Sequence, residues 1–507
     1  MFENSSRRRF LQTTAVGTAA GLGDLTFLSR LQPVSAEEAK PDAKVVRLTD
    51  DIEPLVTLLE ETPRERVLEE FAGRIKSGTS YREVVAALLL AGVRNIQPRP
   101  QVGFKFHAVL VVNSAHLASM SSPPEHRWLP IFWALDEFKS SQAADRREGN
   151  WTMSPVDESV VPPPHRARQA FIDAMDNWDE PAADAAIAGL ARSSGANEIY
   201  ELMFRYGARD FRAIGHKAIY VANSFRTLNC IGWQYAEPVL RSLAYALLTH
   251  EGENPAKRDG DPDRPWRNNV ERAAKFKAEW LDGTIDPAAT TEMLATLRTA
   301  TPDEACDKVV DQLNRGIAPQ AIWDALFVSS GELNVRQAGI VALHAVTSTN
   351  ALRFAWQMSA NDDIRRMLLL QNAAFVPLFR EAMTGRGKLQ PFELDKMSPT
   401  PVSADSTAAI EEICTDISGD QLAAAGKLLS YLKEQPNPKQ FIDAVRLLVF
   451  LKGTNSHDYK FSSAVLEDYQ NVSPDWRDRF LASSVFNLRG SQGKDNKLVQ
   501  RTREALA

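Results

Sequence analysis

Apolar positions recur at three- and four-residue spacing along most of the chain from Ile52 onward, which is the period of an amphipathic helix. VTLLEETPRERVLEEFAGRIKSG and YREVVAALLLAGVRNI are early examples. In the first, a new helix is predicted to start at Thr62-Pro63 and to end at Gly78. Strict alternation is nearly absent. Residues 108–112 have the composition of a short strand, but their apolar run continues to Met120, so a helix is predicted there. The aperiodic stretches 149–164, 252–267 and 385–406 read as loops, and 453–456 and 489–494 as short turns. The predicted fold is all-α, with helix-pair repeats packed around a central pocket and no substantial β-sheet. Its parts are a main helical domain over 51–385, a linker loop over 386–408, and a C-terminal helical segment over 409–507 that completes the same site.

One order of elements occurs four times: an apolar helix, a short break, and a histidine early in a second helix. REVVAALLLAGV leads to GFKFHAVLVVNSAH, with His107 and Asn113. NEIYELMFRYG leads to DFRAIGHKAIYVANSFRTL, with His216 and Asn223. PQAIWDALFVSSG, in which Gly331 reads as a turn, leads to VALHAVTSTNAL, with His344 and Asn350. KQFIDAVRLLVFLKG leads to TNSHDYKFSSAVL, with His457, and with Ser463 where the asparagine would stand. The four histidines are roughly 110 to 130 residues apart and make up half of the eight in the chain. The repetition is too loose for a tetratricopeptide or HEAT array.

At 507 residues and 44% hydrophobic composition, the chain has ample material for a large core. A net charge of −6 gives no basic footprint for nucleic acid. Cys230, Cys306 and Cys414 are far apart and form no CxxC, so each is expected as a small buried residue. Ser6-Arg7-Arg8-Arg9-Phe10-Leu11-Gln12 resembles a twin-arginine export motif. A mildly apolar run to Leu31 follows, interrupted by Asp24, and then Val34-Ser35-Ala36 as a signal-peptidase site. Residues 1–36 are therefore expected to be a signal peptide read by the twin-arginine translocase, and 37–50 a linker. The mature chain is expected to be exported, periplasmic or extracellular, without a membrane span. That route carries folded proteins, which raises the prospect of a cofactor inserted before export.

Four helix pairs that each present one imidazole to a common centre would make a metal site, since imidazole suits iron, zinc, copper and nickel. Asn113, Asn223 and Asn350 would then orient the rings and fix their tautomers. Lys460 follows His457 by three positions, on the same helix face. It would pair with Asp458, or act as a ligand once its ammonium has lost a proton or been carboxylated. The alternative for each histidine is local capping or core packing. His116 lies near the far end of the His107 helix. His250 ends a helix, where a cation complements the dipole, and His126 and His165 sit in proline-flanked loops. Trp128, Trp133 and Phe138 have core spacing. Asp136 with Lys139, and Glu237 with Arg241, have the spacing of helix-surface ion pairs. No GxSxG, HExxH, Walker loop or dinucleotide fingerprint occurs.

HAVTSTNAL around His344, the H-x-x-K of His457 and Lys460, and the helix-opening His107 and His216 resemble the questin oxidase-like family. The resemblance spans most of the mature chain, and HAVT and HDYK are its most specific parts. It implies an all-helical oxygenase that uses dioxygen on an aromatic small molecule. It further implies non-haem Fe(II) held by His107, His216, His344 and His457, with Lys460 as the family's lysine. The export signal departs from a family whose members are largely cytoplasmic. Zinc in a hydrolytic enzyme would keep the ligands and change the chemistry. A helical-repeat scaffold that binds partners without catalysis would instead scatter its histidines more than about 10 Å apart, far beyond the reach of ~2 Å metal–nitrogen bonds.

Overall fold

Helices form where the apolar period runs. The computed structural model describes residues 45–99 and 105–507. Among the described residues there are 22 α-helices, and 71% of those residues are helical. Among the described residues there is no strand, only an isolated bridge between Thr284 and Ile317. The export motif, the rest of 1–36 and most of the 37–50 linker lie outside the described residues. The end of that linker sits on the core: Val46 and Leu48 are buried, and the Val46 N–H donates to the Met153 carbonyl. No helix among the described residues is long and apolar enough to cross a membrane.

Four helix pairs carry the repeated pattern: α1 (Tyr81–Asn95) with α2 (His107–Met120), α3 (Ala196–Gly207) with α4 (His216–Ile231), α5 (Pro319–Arg336) with α6 (Ile340–Met358), and α7 (Lys439–Lys452) with α8 (Ser456–Asp468). Within each pair the two helices touch. The second members also pack in a closed ring, α2 on α4, α4 on α6, α6 on α8 and α8 on α2. The ring is a central four-helix bundle, and the remaining helices enclose it. A helix covered on every side has no polar face to keep. Accordingly α2 is buried without a gap from His107 to Ala115, and α6 from Val341 to Arg353.

Side chains close the helix ends. The Ser80 hydroxyl accepts from the Glu83 N–H and the Glu83 carboxylate accepts from the Ser80 N–H, a reciprocal cap at the start of α1. At α8, the Asn455 side chain accepts from the His457 N–H, and the Asp458 carboxylate accepts from the N–H groups of Thr454 and Asn455.

Several local expectations change. Gly331 is not a turn; it lies inside α5, where an added Cβ would come within 2.4 Å of Ser483 Oγ, and the chain breaks only at 337–339. Thr62-Pro63 opens a turn, and the next helix begins at Val67. The 252–267 loop gives way to a helix at Arg264, with Pro265 in its first turn. The 386–408 stretch is irregular apart from one turn at Leu394–Lys396, and the next helix starts at Ser406. Both proposed surface pairs are replaced by longer-range partners. Asp136 takes the Arg64 guanidinium in two bonds of 2.9 and 2.6 Å, while Lys139 donates to the Leu59 and Glu60 carbonyls and to Gln142. Glu237 pairs with Arg192, and Arg241 forks onto Asp184 at 2.7 and 2.8 Å. A two-bond fork to a guanidinium outweighs an i,i+4 contact of a few tenths of a kcal/mol (~0.2–0.5). Cys306 and Cys414 are buried, Cys230 is half-buried, and all three are free thiols. Trp133 and Phe138 are core residues, and Trp128 packs on the core half-buried.

Candidate metal centre

Each ring helix delivers its histidine in its first turns. His107 and His216 are the first residues of α2 and α4, His457 is the second of α8, and His344 the fifth of α6. All four are buried, His344 completely. Their rings converge. Centroids are 4.3 Å apart for His216–His344, 4.6 Å for His107–His457, 4.9 Å for His107–His216, 5.3 Å for His344–His457 and 6.5 Å for His107–His344. The scatter of more than about 10 Å that a helical-repeat scaffold would leave is absent.

His216 Nε2 is the hub. It lies 2.8 Å from His107 Nε2, 2.9 Å from His344 Nε2 and 3.4 Å from Lys460 Nζ. The ligand atoms of His107, His216 and His344 all fall within 4.8 Å of one another. His457 stands edge-on to His107 and His344, at 84° and 78°, beside this triad.

Backbone carbonyls set two of the tautomers. His216 Nδ1 lies 2.6 Å from the Ala213 carbonyl, and His344 Nδ1 lies 2.6 Å from the Ile340 carbonyl. A carbonyl only accepts, so both Nδ1 atoms carry the proton, and in the neutral rings both Nε2 atoms carry a lone pair. Two lone pairs therefore face each other at 2.9 Å. That arrangement is repulsive unless a cation lies between them. A proton is disfavoured: burial, and after it the charges of Lys460 and the neighbouring imidazoles, hold His107, His216 and His344 well below the usual histidine range. The four converging helix N-termini act in the same direction. A metal ion would suit the site, because imidazole nitrogens with free lone pairs are ligands for iron and zinc, and His107, His216 and His344 bring theirs within 4.8 Å of one another. The N-terminal field by itself opposes a bare dication.

The turn before α4 is what aims His216. Ala213 (φ 55°), Ile214 (φ 44°) and Gly215 (φ 81°) are three successive left-handed residues. For a β-branched isoleucine this is an outlier costing about 1–3 kcal/mol. The turn brings the Ala213 carbonyl back onto the His216 ring. Gly215 has no substitute here, since a Cβ on it would lie 1.8 Å from Ser348 Oγ in α6. Sequence reasoning passed over this turn; the one signal for it was the glycine directly before His216.

Lys460 is buried beside the triad, and burial pushes its ammonium down to about 7. It does not pair with Asp458, whose carboxylate is taken by Arg489 and by the α8 cap. Asn223 and Asn350 do not hold the ring tautomers of His216 and His344, because the two carbonyls do. Asn113 donates to Asn223, Asn223 donates to the Leu110 carbonyl, and Asn350 donates to Glu467 and Asp468. His116 bonds the Tyr81 hydroxyl, away from the triad. His250 lies past the end of its helix at Leu248, edge-on to Trp178, with burial lowering its proton affinity, so it is no dipole-matching cation. His126 is half-buried in a 3-10 turn and His165 is exposed.

These shifts fix a pH dependence for the metal-free protein. The four site histidines have folded pKa values below their unfolded value near 6.5, His457 at about 3. Below that value the unfolded chain binds more protons, so stability falls as pH drops, by up to about 1.4 kcal/mol per pH unit for each histidine. Asp468, raised by burial to about 8, works in the opposite sense and cancels one histidine's share. Urea midpoints of metal-free protein should therefore fall steeply between pH 6.5 and 5; a flat profile would contradict neutral buried rings.

Comparisons with protein-family models, curated proteins and solved structures return no match to this chain. What fold and site define is an all-α protein with a buried cluster of imidazoles at the centre of a four-helix ring.

Proposed function

We propose that the chain is a metal-dependent enzyme whose ion is held by His107, His216 and His344, with His457 and Lys460 completing the centre. The observation that carries this reading is the pair of lone pairs on His216 and His344 Nε2, facing each other at 2.9 Å with both ring protons committed to carbonyls. Neutral ligands leave a divalent ion its full charge. Bound there, iron(II) would supply redox chemistry with dioxygen, as the resemblance to the questin oxidase-like family implies, whereas zinc would supply Lewis acidity for hydrolysis. The protein's own part is to orient the rings through the Ala213 and Ile340 carbonyls, to keep bulk water out, and to hold or move a proton at Lys460 Nζ. An aromatic small molecule is the substrate class that the resemblance favours. Export by the twin-arginine route, after metal insertion, belongs to the same proposal. Full-length protein produced with iron and zinc both supplied is expected to contain about one ion per chain. Elemental analysis tests this, and the iron-to-zinc ratio separates the two chemistries. Metal-free protein that takes up neither ion would sink the proposal.

A further inference from the structure

A polar crevice runs from Lys460 between α2, α4, α6 and α8, lined by Asn113, Asn223, Asn350, Arg226 and Ser463. Its free volume is about 10 Å³, close to one water-sized sphere. Beyond it lies an outer groove of about 190 Å³ that includes Ser121, Arg446 and Glu467. Leu117 and Ser463 line both spaces. Where they meet, Arg226 donates to Glu467 at 2.8 Å, and Asn350 donates to the same carboxylate oxygen at 2.8 Å.

The amides inside the crevice are oriented by their partners. Asn223 Nδ2 is committed to the Leu110 carbonyl at 3.0 Å, so its Oδ1 faces Asn113 and accepts from Asn113 Nδ2 at 3.3 Å. Asn113 Oδ1 is thereby turned away. The residue is 1% exposed, and this oxygen has no donor among the described residues. A buried acceptor left without a donor is unfavourable, and a water-sized space adjoins it.

We propose that this crevice binds a water-sized hydrogen-bond donor next to the metal, and that it is the centre's route to solvent, closed at its outer end by the Arg226–Glu467 pair. The proposal rests on the metal reading above and restricts it: small polar ligands pass along this route, while a polycyclic substrate does not pass it with the pair closed. Ser463 and Leu117 set the bore, and Glu467 sets the closure.

The test uses the full chain loaded with cobalt(II), with azide as probe, followed by stopped-flow visible absorption. Ser463→Leu should slow azide association by about tenfold or more, and Glu467→Ala should speed it by about as much, with cobalt content equal in all three proteins. Leu117→Trp provides a second plug should Ser463→Leu fold poorly. In the metal-free chain, deuterium exchange at the His216 imidazole C2 position, read by mass spectrometry, should follow the same order. Failure to hold cobalt overturns the metal reading, and the histidine exchange then decides the route by itself. Cobalt held, with azide rates indifferent to all three substitutions, or histidine exchange indifferent to them, overturns the crevice as the route.

Discussion

Replacing His344 with leucine is expected to weaken metal binding by about 10²–10³-fold while leaving the metal-free fold as stable as before or more so. His344 is wholly buried, and its Nε2 faces that of His216 at 2.9 Å. Free energies of about 10–16 kcal/mol for four-ligand sites imply roughly 3–4 kcal/mol per ligand. Losing one then weakens binding by about 10²–10³-fold. The metal-free protein gains from the same change, because leucine removes a buried lone pair that opposes another. Exchanging a buried polar contact for apolar groups of the same shape can be nearly neutral or stabilising. The Ile340 carbonyl keeps its place in the helix ladder, and His216 Nε2 keeps His107 within 2.8 Å. Titration with metal and urea unfolding of the metal-free protein check the two halves. An ordinary core histidine gives the opposite pair of results, with no change in metal content and a stability loss above about 2 kcal/mol. His116→Ala, on the same helix as His107 but bonded to Tyr81, should leave metal content unchanged.

The helices and the cluster were legible for one reason. A helix buried on all sides has few polar residues, so a histidine in its first turn stands out, and four such helices stand out together. The convergence of His107, His216, His344 and His457 follows from the ring that α2, α4, α6 and α8 form, and the repetition of the pattern was its trace in the sequence. The long-range charge pairs left no such trace. Spacing reads what a helix offers to its own next turn. Arg64 reaching Asp136, Arg192 reaching Glu237 and Arg241 reaching Asp184 depend on which helices become neighbours. The asparagines were placed in the right region on the wrong partners. Six or seven positions from the histidine carry them along the helix axis, away from the ring atoms and into the crevice below. Gly331 was misread because a glycine required by close packing and one required by a turn look alike in sequence.

The turn that aims His216 is the most exposed point of the design, and Gly215→Ala tests it. An alanine Cβ would lie 1.8 Å from Ser348 Oγ and 2.9 Å from Ser348 Cβ, at a φ of 81° that side chains rarely adopt. The backbone of 213–215 must shift. The Ala213 carbonyl then no longer holds the His216 proton on Nδ1, and the hub nitrogen loses its direction. Loss of such a supporting bond typically costs about 10–100-fold in metal affinity, and the strain adds about 1–3 kcal/mol of destabilisation. Ser348 separates steric from chemical causes. Its hydroxyl is buried without a hydrogen-bond partner among the described residues, so Ser348→Ala by itself should be close to neutral in stability and metal content. Combined with Gly215→Ala it removes the 1.8 Å clash but not the left-handed φ, so affinity should return only in part. Full recovery in the double variant would make the contact with Ser348 the whole cause. No recovery would put the cause in the backbone conformation together with the 2.9 Å approach to the Cβ of residue 348, which the double variant keeps. A Gly215→Ala protein that binds metal as tightly as the natural chain would show that the carbonyl on His216 Nδ1 does not set the site.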